Sequence, residues 1–353
     1  MNSVASQHST HSPAYFTSCG VLLINFGTPT EPSARAIFDY LKNLLSDKHI
    51  VKLPSWLWQP MLWGIAQIRS RQLVKPYQDI WSPQGSPLHI HSQKQVRHLQ
   101  TQCAQQHANQ ILIKYAMQYG HPAIGNVLQD LLEQGIEHLV VLPLYPQSTQ
   151  ATTHSALDQV WQYLMRYHHS RPIVHTISGF FEHPDYIAAL ADSVTHYWHT
   201  NQQGDKLLMS FHGLPQQPLA RSRFYHDQCY ATAQALAQAL SLKPNQYIVS
   251  FQSRFGPQKW LQPYTKTILR KLGAQQTHTL DVICPGFMVD CLETLYEIAK
   301  IGTILFRRAG GHTLRYIPCL NSTDGAVKML FRIMHSALPM LFCLPPKTNK
   351  SHN

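Results

Sequence analysis

Short β-branched or apolar runs alternate along the chain with longer amphipathic stretches, the pattern of a parallel sheet whose strands are joined by helical crossovers. Six runs read as strands: Val21–Asn25, Ile111–Tyr115, His138–Leu142, Leu207–Ser210, Tyr247–Phe251 and Thr279–Ile283. The turns that follow them repeat. The first strand ends in Asn25-Phe26-Gly27-Thr28-Pro29 and the fourth in Ser210-Phe211-His212-Gly213-Leu214-Pro215. The second runs into Met117-Gln118-Tyr119-Gly120-His121-Pro122 and the fifth into Ser253-Arg254-Phe255-Gly256-Pro257. The third leads to Pro143-Leu144-Tyr145-Pro146 and the sixth to Cys284-Pro285-Gly286-Phe287. Strands one to three therefore match strands four to six, which predicts an internal duplication into two similar Rossmann-like α/β domains, each a parallel sheet flanked by helices. The plainer account is that Gly and Pro punctuate any strand-to-helix turn. In open sheets of this kind ligands bind beyond the carboxyl ends of the strands, so polar residues in these turns are site candidates.

The expected divisions follow from composition shifts. Residues 1–18 are rich in Ser, His and Thr, with no basic start and no apolar run, and predict a disordered leader rather than a signal peptide. An N-terminal domain is expected over 19–170 and a C-terminal domain over 171–320, with a connector at Arg166 to Ser178 broken by His168-His169-Ser170-Arg171-Pro172. Residues 321–340 predict a helix, Gly325 to Leu338, packed back on the body, and 341–353 a tail whose approach is oddly apolar. No stretch approaches the 18 uncharged apolar residues that a bilayer span needs.

Charge changes the picture more than length does. Lys and Arg total 29 against 18 Asp and Glu, a net +11, yet only 13% of residues are charged, so acids are what the chain lacks. The imbalance favours an anionic partner. Nucleic acid would need a basic face or a reader module, and neither stands out. The seven cysteines are scattered, without a CxxC pair, which argues against a disulfide framework, a structural zinc site or a Cys-ligated cluster and for a reducing compartment, the cytoplasm.

Four features carry chemistry. His212 stands just past a strand end before Gly213, where an imidazole can ligate a metal or accept a proton near neutrality, or be an ordinary packed side chain. Asp290, Glu293 and Glu297 fall at i, i+3 and i+7, one face of an α-helix, a candidate route for a cation or protons in a chain short of acids; the bland reading is a solvated face. The segment from Val249 to Thr265, with Arg254, Phe255 and Trp260, can clamp a flat anionic ligand or simply pack a loop. Lys42 to Lys75 carries a net +5 and Trp56, Trp58 and Trp63, and reads as a pocket mouth or membrane lip, or as plain core.

Together these segments resemble the ferrochelatase family over nearly the whole chain, from about Gly20 to Leu338. The resemblance is carried by Ser210-Phe211-His212-Gly213-Leu214-Pro215, by Phe251-Gln252-Ser253-Arg254-Phe255-Gly256, and by Cys284-Pro285-Gly286-Phe287 with Asp290-Cys291-Leu292-Glu293-Thr294-Leu295. Gly85-Ser86-Pro87-Leu88, Leu144-Tyr145-Pro146-Gln147 and Tyr316-Ile317-Pro318-Cys319-Leu320-Asn321 add to it in the family's order. It implies two Rossmann-like, chelatase-like domains with protoporphyrin IX in the cleft between them, His212 and Glu293 as the metal-site pair, and Phe26, Tyr119, Trp260 and Phe287 lining the porphyrin. Asp290 and Glu297 extend from Glu293 as a metal or proton route. Ferrous iron is then a substrate, and the product is protohaem. No tightly bound cofactor is implied. Cluster-bearing relatives keep several cysteines near the C-terminus, where this chain has Cys343, so no iron–sulfur cluster is expected. Porphyrin chemistry suggests peripheral contact with the inner face of the membrane.

Departures from the family are specific. Gln118 stands where arginine is common, arginines are common near Lys48-His49, and Arg221-Ser222-Arg223-Phe224-Tyr225-His226 replaces the usual run after the histidine loop. The changes at Gln118 and near Lys48-His49 predict altered contacts to porphyrin carboxylates. The run after Glu297, Ile298-Ala299-Lys300-Ile301-Gly302-Thr303, is less acidic than in relatives, which argues against an outer metal route there. The alternatives are a chelatase for coproporphyrin or another tetrapyrrole, and a non-catalytic porphyrin-binding paralogue.

Overall fold

Cys19–Thr28 forms β1, in which every residue but Phe26 is fully buried. A strand buried on both faces has to be central, and β1 pairs in parallel with β2 (Ile111–Gly120) on one side and β3 (His138–Pro143) on the other. The computed structural model describes residues 19–51, 54–107, 111–166, 171–216, 220–256 and 258–337; the expected leader 1–18 and tail 341–353 lie outside them. Between β1 and β2 run α1 (Ala34–Leu45), α2 (Ser55–Ile80) and α3 (Pro87–His107); α4 (Ile124–Glu133) joins β2 to β3. A π-helical turn, Gln150–His154, leads into α5 (Ser155–Arg166), and β4 (Ile173–Thr176) completes the first sheet in the order β2-β1-β3-β4.

The second half repeats this plan. After α6 (Pro184–Asn201) come β5 (Lys206–His212), α7 (Ala220–Ala239), β6 (Tyr247–Gln252), α8 (Thr265–Ala274) and β7 (Thr279–Ile283). A π-helix, Leu292–Gly302, continues into α9 (Thr303–Arg308), then β8 (Thr313–Tyr316) and α10 (Asp324–Ala337). The sheet order is β6-β5-β7-β8, the first order with each strand replaced by its counterpart, and every pairing is parallel. All six expected strands are present, and the duplicated order supports the duplication.

Two short strands escaped the sequence pattern. The stretch Arg166 to Ser178, expected as a connector, contains β4, which pairs with β3 and so belongs to the first sheet. Its four residues, Ile-Val-His-Thr, are too few to show a period, and β8 is equally short.

The last helix of each half crosses to the other. Trp198 of α6 donates its indole N–H to Asp281 of β7 at 2.7 Å, and Arg315 of β8 reaches the α6 end carbonyls of Asn201 and Gln202. Conversely, α10 packs on α3 and β3, where Gln95 bonds the Asn321 carbonyl and His91 meets Ser322 at 3.0 Å. One apolar core therefore runs from Val21 and Leu23 of the first sheet through Tyr186 and Leu190 of α6 to Met209 and Phe211 of the second. Buried polar ties join the halves across the sheet ends: Gln147 to Thr232 at 2.9 Å, the Ser148 amide to Gln228 at 2.9 Å, and the Tyr186 hydroxyl to the Pro285 carbonyl.

Asp281 is wholly buried on β7 opposite Arg315 on β8, and accepts from Arg315 Nε at 2.7 Å and Nη2 at 2.9 Å, from Trp198, and from the Gly204 amide. Breaking a buried pair by removing one charge leaves the other uncompensated, so Asp281→Asn is expected to lower unfolding free energy by about 3–5 kcal/mol. Lys114→Ala, which removes the more exposed pair with Asp130, is expected to cost about 1 kcal/mol or less. Chemical denaturation of the two variants checks the contrast.

Candidate active site

His212 is the last residue of β5, and three contacts fix it. The Tyr225 hydroxyl donates to its carbonyl at 2.8 Å, the next amide, Gly213 N–H, donates to the Gln252 carbonyl at 2.9 Å, and His212 Nδ1 lies 2.7 Å from the Gly213 carbonyl oxygen. A carbonyl only accepts, so Nδ1 carries the hydrogen, and in the neutral ring Nε2 is the nitrogen with the free lone pair. The loop beyond is laced to the Trp260 segment: Leu261 N–H donates to the Leu214 carbonyl at 2.9 Å and Gln216 N–H to that of Lys259 at 2.8 Å. Phe287, in the turn after β7, stands with its ring centroid 6.2 Å from the imidazole, tilted by 57°.

Glu293 lies in the first turn of the π-helix, half-buried. Its carbonyl accepts from Gln252 Nε2 at 3.1 Å, and the same amide's Oε1 accepts from Ser210 at 2.7 Å and from the Cys284 thiol at 3.6 Å. Gln252, buried at the end of β6, thus touches both the strand that carries His212 and the helix that carries Glu293. The groups around the Glu293 carboxylate are the Cys291 thiol and the Tyr40 and Tyr77 hydroxyls, which α1 and α2 bring from the first half. Burial first, and then the nearby carboxylate, pushes the Cys291 thiol well up. Tyr77 shifts the same way for the same reasons; for Tyr40, burial and the neighbouring Tyr77 lead and Glu293 adds to them. All three stay protonated and neutral at physiological pH.

The helix type changes the expected acidic stripe. Bonds run i→i+5 from Leu292 to Gly302, so Glu293 and Glu297, four residues apart, stand one turn apart on the same side, while Asp290 precedes the helix altogether and leaves the stripe. Asp290 is buried and faces the other way: Asn321 donates to Oδ2 at 2.7 Å, while Tyr316, the Cys319 amide and Thr294 converge on Oδ1. Glu297 turns to Ser253. Among the described residues no three His, Cys, Asp or Glu side chains group into a metal-holding set.

From the first half, Phe26 and Tyr119 close on each other edge to face, centroids 5.2 Å apart, in a cluster that also touches Leu292 of the π-helix. Tyr119 is anchored from behind. Its hydroxyl donates to Asp47 at 2.6 Å and accepts from Gln118 at 2.9 Å, and burial, followed by the Asp47 bond, raises its pKa far above the ordinary value. Gln118, where arginine was expected in relatives, is buried with its amide oxygen taking the Tyr145 hydroxyl at 2.7 Å. It is a scaffold for Tyr119. Lys48 and His49 are paired with Asp158.

Trp260 is half-buried, and its indole N–H has no hydrogen-bond partner among the described residues. On α2, Trp56 is 78% and Trp63 61% exposed, while Trp58 turns in to donate to the Leu45 carbonyl at 2.7 Å. Arg69 of α2 lies over Phe255 from the second half, 5.5 Å from its ring centroid. Arg223 to His226 open α7; the side chains of Arg221 and Ser222 lie outside the described residues. The sequence reading missed Gln252, Tyr225, Asp47, Tyr40 and Tyr77. Tyr225 sits inside the very segment noted as a departure, and Gln252 sits inside a quoted motif.

A ferrochelatase family model matches residues 18–338. The chain is 43% identical to a ferrochelatase of Chromobacterium violaceum, covering 92% of this chain and 89% of that one. It is 44% identical to a ferrochelatase of Nitrosomonas europaea, over 90% and 88% of the two chains, and 44% identical to ferrochelatase 1 of Shewanella oneidensis, over 90% and 94%. Among solved structures, SirB from Bacillus subtilis with Fe3+ superposes with a TM-score of 0.54 at 10% identity, over 92% of this chain and 98% of that one, a likeness of fold.

A side chain at Gly213 would place its Cβ 2.6 Å from the Gln252 carbonyl oxygen and 3.3 Å from the Trp260 ring, whereas Gly64 on α2 has open space around it. Gly213→Ala is therefore expected to destabilise by about 1–3 kcal/mol through overpacking. Gly64→Ala is expected to stabilise by up to about 1 kcal/mol through helix propensity. Thermal unfolding of both variants reads the difference.

Proposed function

The chain belongs to the ferrochelatase family and inserts ferrous iron into a porphyrin in haem synthesis; we propose that the porphyrin is protoporphyrin IX, held in the cleft between the sheets, and that His212 and Glu293 exchange its protons for iron. The observation that carries this reading is the meeting of the His212 strand end and the Glu293 helix on one buried residue, Gln252, through its backbone carbonyl and its side-chain amide, beside an aromatic surface.

Metallation removes two pyrrole protons and adds a divalent cation. A macrocycle bent out of plane offers its nitrogen lone pairs, and the bending is offset by binding elsewhere on the ring. Opposed rigid aromatics suit that grip: Phe26 and Tyr119 on one side, Phe287 and Trp260 on the other, with the unpartnered Trp260 N–H left as a donor for the ligand. The Nε2 lone pair of His212 accepts one pyrrole proton, and the Glu293 carboxylate, on giving up Fe2+ to the ring nitrogens, accepts the other. Glu293 is the anionic group for Fe2+, and its protonated neighbours bring no competing cation. One imidazole and one carboxylate hold ferrous iron weakly, as delivery requires, where four closed ligands would retain it.

The mouth fits peripheral contact with the cytoplasmic face of a membrane. Trp56, Leu57, Met61, Trp63 and Ile68 of α2 and Phe255 opposite are exposed, with Arg69 and Arg71 among them. No helix among the described residues is long and apolar enough to cross a membrane. The proposal includes no iron–sulfur cluster, a point that acid-labile sulfide content of the purified protein tests.

Anaerobic haem formation from protoporphyrin and ferrous iron tests the site. His212→Ala and Glu293→Gln are each expected to lose about 100-fold or more in kcat, with porphyrin fluorescence quenching retained. A rate unchanged in either variant removes that residue from the mechanism. Faster turnover of coproporphyrin than of protoporphyrin by the wild type would reassign the substrate.

A further inference from the structure

Glu297 stands one turn beyond Glu293, and both of its oxygens are taken. Oε1 accepts from the Ser253 backbone N–H at 3.0 Å, Oε2 accepts from the Ser253 hydroxyl at 2.7 Å, and Lys266 Nζ lies 3.8 Å from Oε1. Ser253 sits immediately past β6 with φ +63°, in the left-handed region that a serine occupies only when its surroundings impose it. In that conformation one residue presents its N–H and its hydroxyl to the same carboxylate.

The loop that begins at Ser253 is the second half's side of the pocket mouth. Arg254 lies over the Tyr264 ring at 4.8 Å, and Phe255 faces solvent beneath Arg69 of α2. The π-helix is held to α2 as well, through Lys300 and Asp79 at 2.6 Å. Asp290 does the corresponding work before the helix starts, with four donors on its carboxylate. Of the three acids, Glu293 is the one whose neighbours, the Cys291 thiol and the Tyr40 and Tyr77 hydroxyls, include groups from the first half.

We infer that Glu297 is a positioning residue and not a metal ligand: it latches the mouth loop, residues 253–256, to the π-helix and thereby fixes where Glu293 stands. The inference rests on the metallation reading above and departs from a carboxylate relay along the helix. A latch and a relay respond differently to the same substitutions. An amide at 297 can still accept from the Ser253 N–H and donate to its hydroxyl, but it is a poor ligand for iron. Removing the Ser253 hydroxyl weakens a latch and leaves a relay untouched.

Steady-state insertion of ferrous iron into protoporphyrin is measured for Glu297→Ala, Glu297→Gln, Ser253→Ala and the double alanine variant. The latch predicts a kcat loss of about tenfold in each alanine variant, a double variant no worse than the poorer single one, and a KM for iron within about twofold of wild type. Glu297→Gln restores kcat to within about threefold of wild type. A KM for iron raised about tenfold or more in Glu297→Gln, with Ser253→Ala like wild type, overturns the latch in favour of a relay, and so do multiplicative losses in the double variant. Hydrogen exchange of residues 251–256 separates the two levels of the argument. It accelerates in Glu297→Ala if the latch exists and is unchanged if it does not, whether or not the wild type turns over, whereas a wild type that forms no haem refutes the metallation reading alone.

Discussion

The side chain of Gln252 is buried where three elements meet, and each of its polar atoms has a partner. Its oxygen takes the Ser210 hydroxyl of β5, its nitrogen holds the Glu293 carbonyl at the start of the π-helix, and its backbone carbonyl receives the Gly213 amide just past His212. Such a residue leaves little freedom: a buried amide without partners costs roughly 1–3 kcal/mol, so strand and helix are drawn to it together. The imidazole and the carboxylate do not bond to each other through any contact seen among the described residues. What relates them is this common support. Ser210 is itself tied to Thr265 at the start of α8, and Thr265 to Ser250, so the support continues into the sheet.

The same logic applies on a larger scale. Two separately folded domains facing a cleft would drift against each other, since interfaces between domains are small and polar. Here the crossing of α6 and α10 gives the two sheets one continuous core, and the Asp281–Arg315 pair pins the end of α6 to the second sheet. The two sheets are consequently tied to each other through a shared core, as the proposed grip on a bent macrocycle requires. The parts of the site that stand outside this core are the mouth elements, α2 and residues 253–256, and these carry the exposed tryptophans and Phe255.

Much of this was legible along the chain because the central strands are continuous apolar runs and their turns recur in order. The outermost strands were not, since four residues such as Ile173–Thr176 carry no period and the nearby Pro172 reads as a breaker. His212 was legible from its place at a strand end. The acids beside Glu293 were only partly legible for a physical reason: Asp290 falls before the π-helix, and spacing cannot report which carboxylates are already occupied by Asn321 or Ser253. Gln252, Tyr225 and Asp47 act by supporting other residues across long sequence separations, and nothing local marks a glutamine or a tyrosine for that work. The net +11 pointed to an anionic ligand, and the fold adds where the basic residues meet an apolar mouth.

The central claim is that one buried amide sets the metal-site geometry. The direct measurement is the anaerobic single-turnover rate of ferrous iron insertion in Gln252→Leu, a substitution that keeps the side chain's approximate volume, removes the side-chain bonds to Ser210 and Glu293 and leaves the backbone bond from Gly213, with porphyrin affinity read by fluorescence in the same samples. The account predicts insertion slowed by about 100-fold while porphyrin affinity stays within about threefold, because misplacing a reacting group by a fraction of its contact distance is enough to lose that much. A variant that binds porphyrin and inserts iron at the wild-type rate would contradict it.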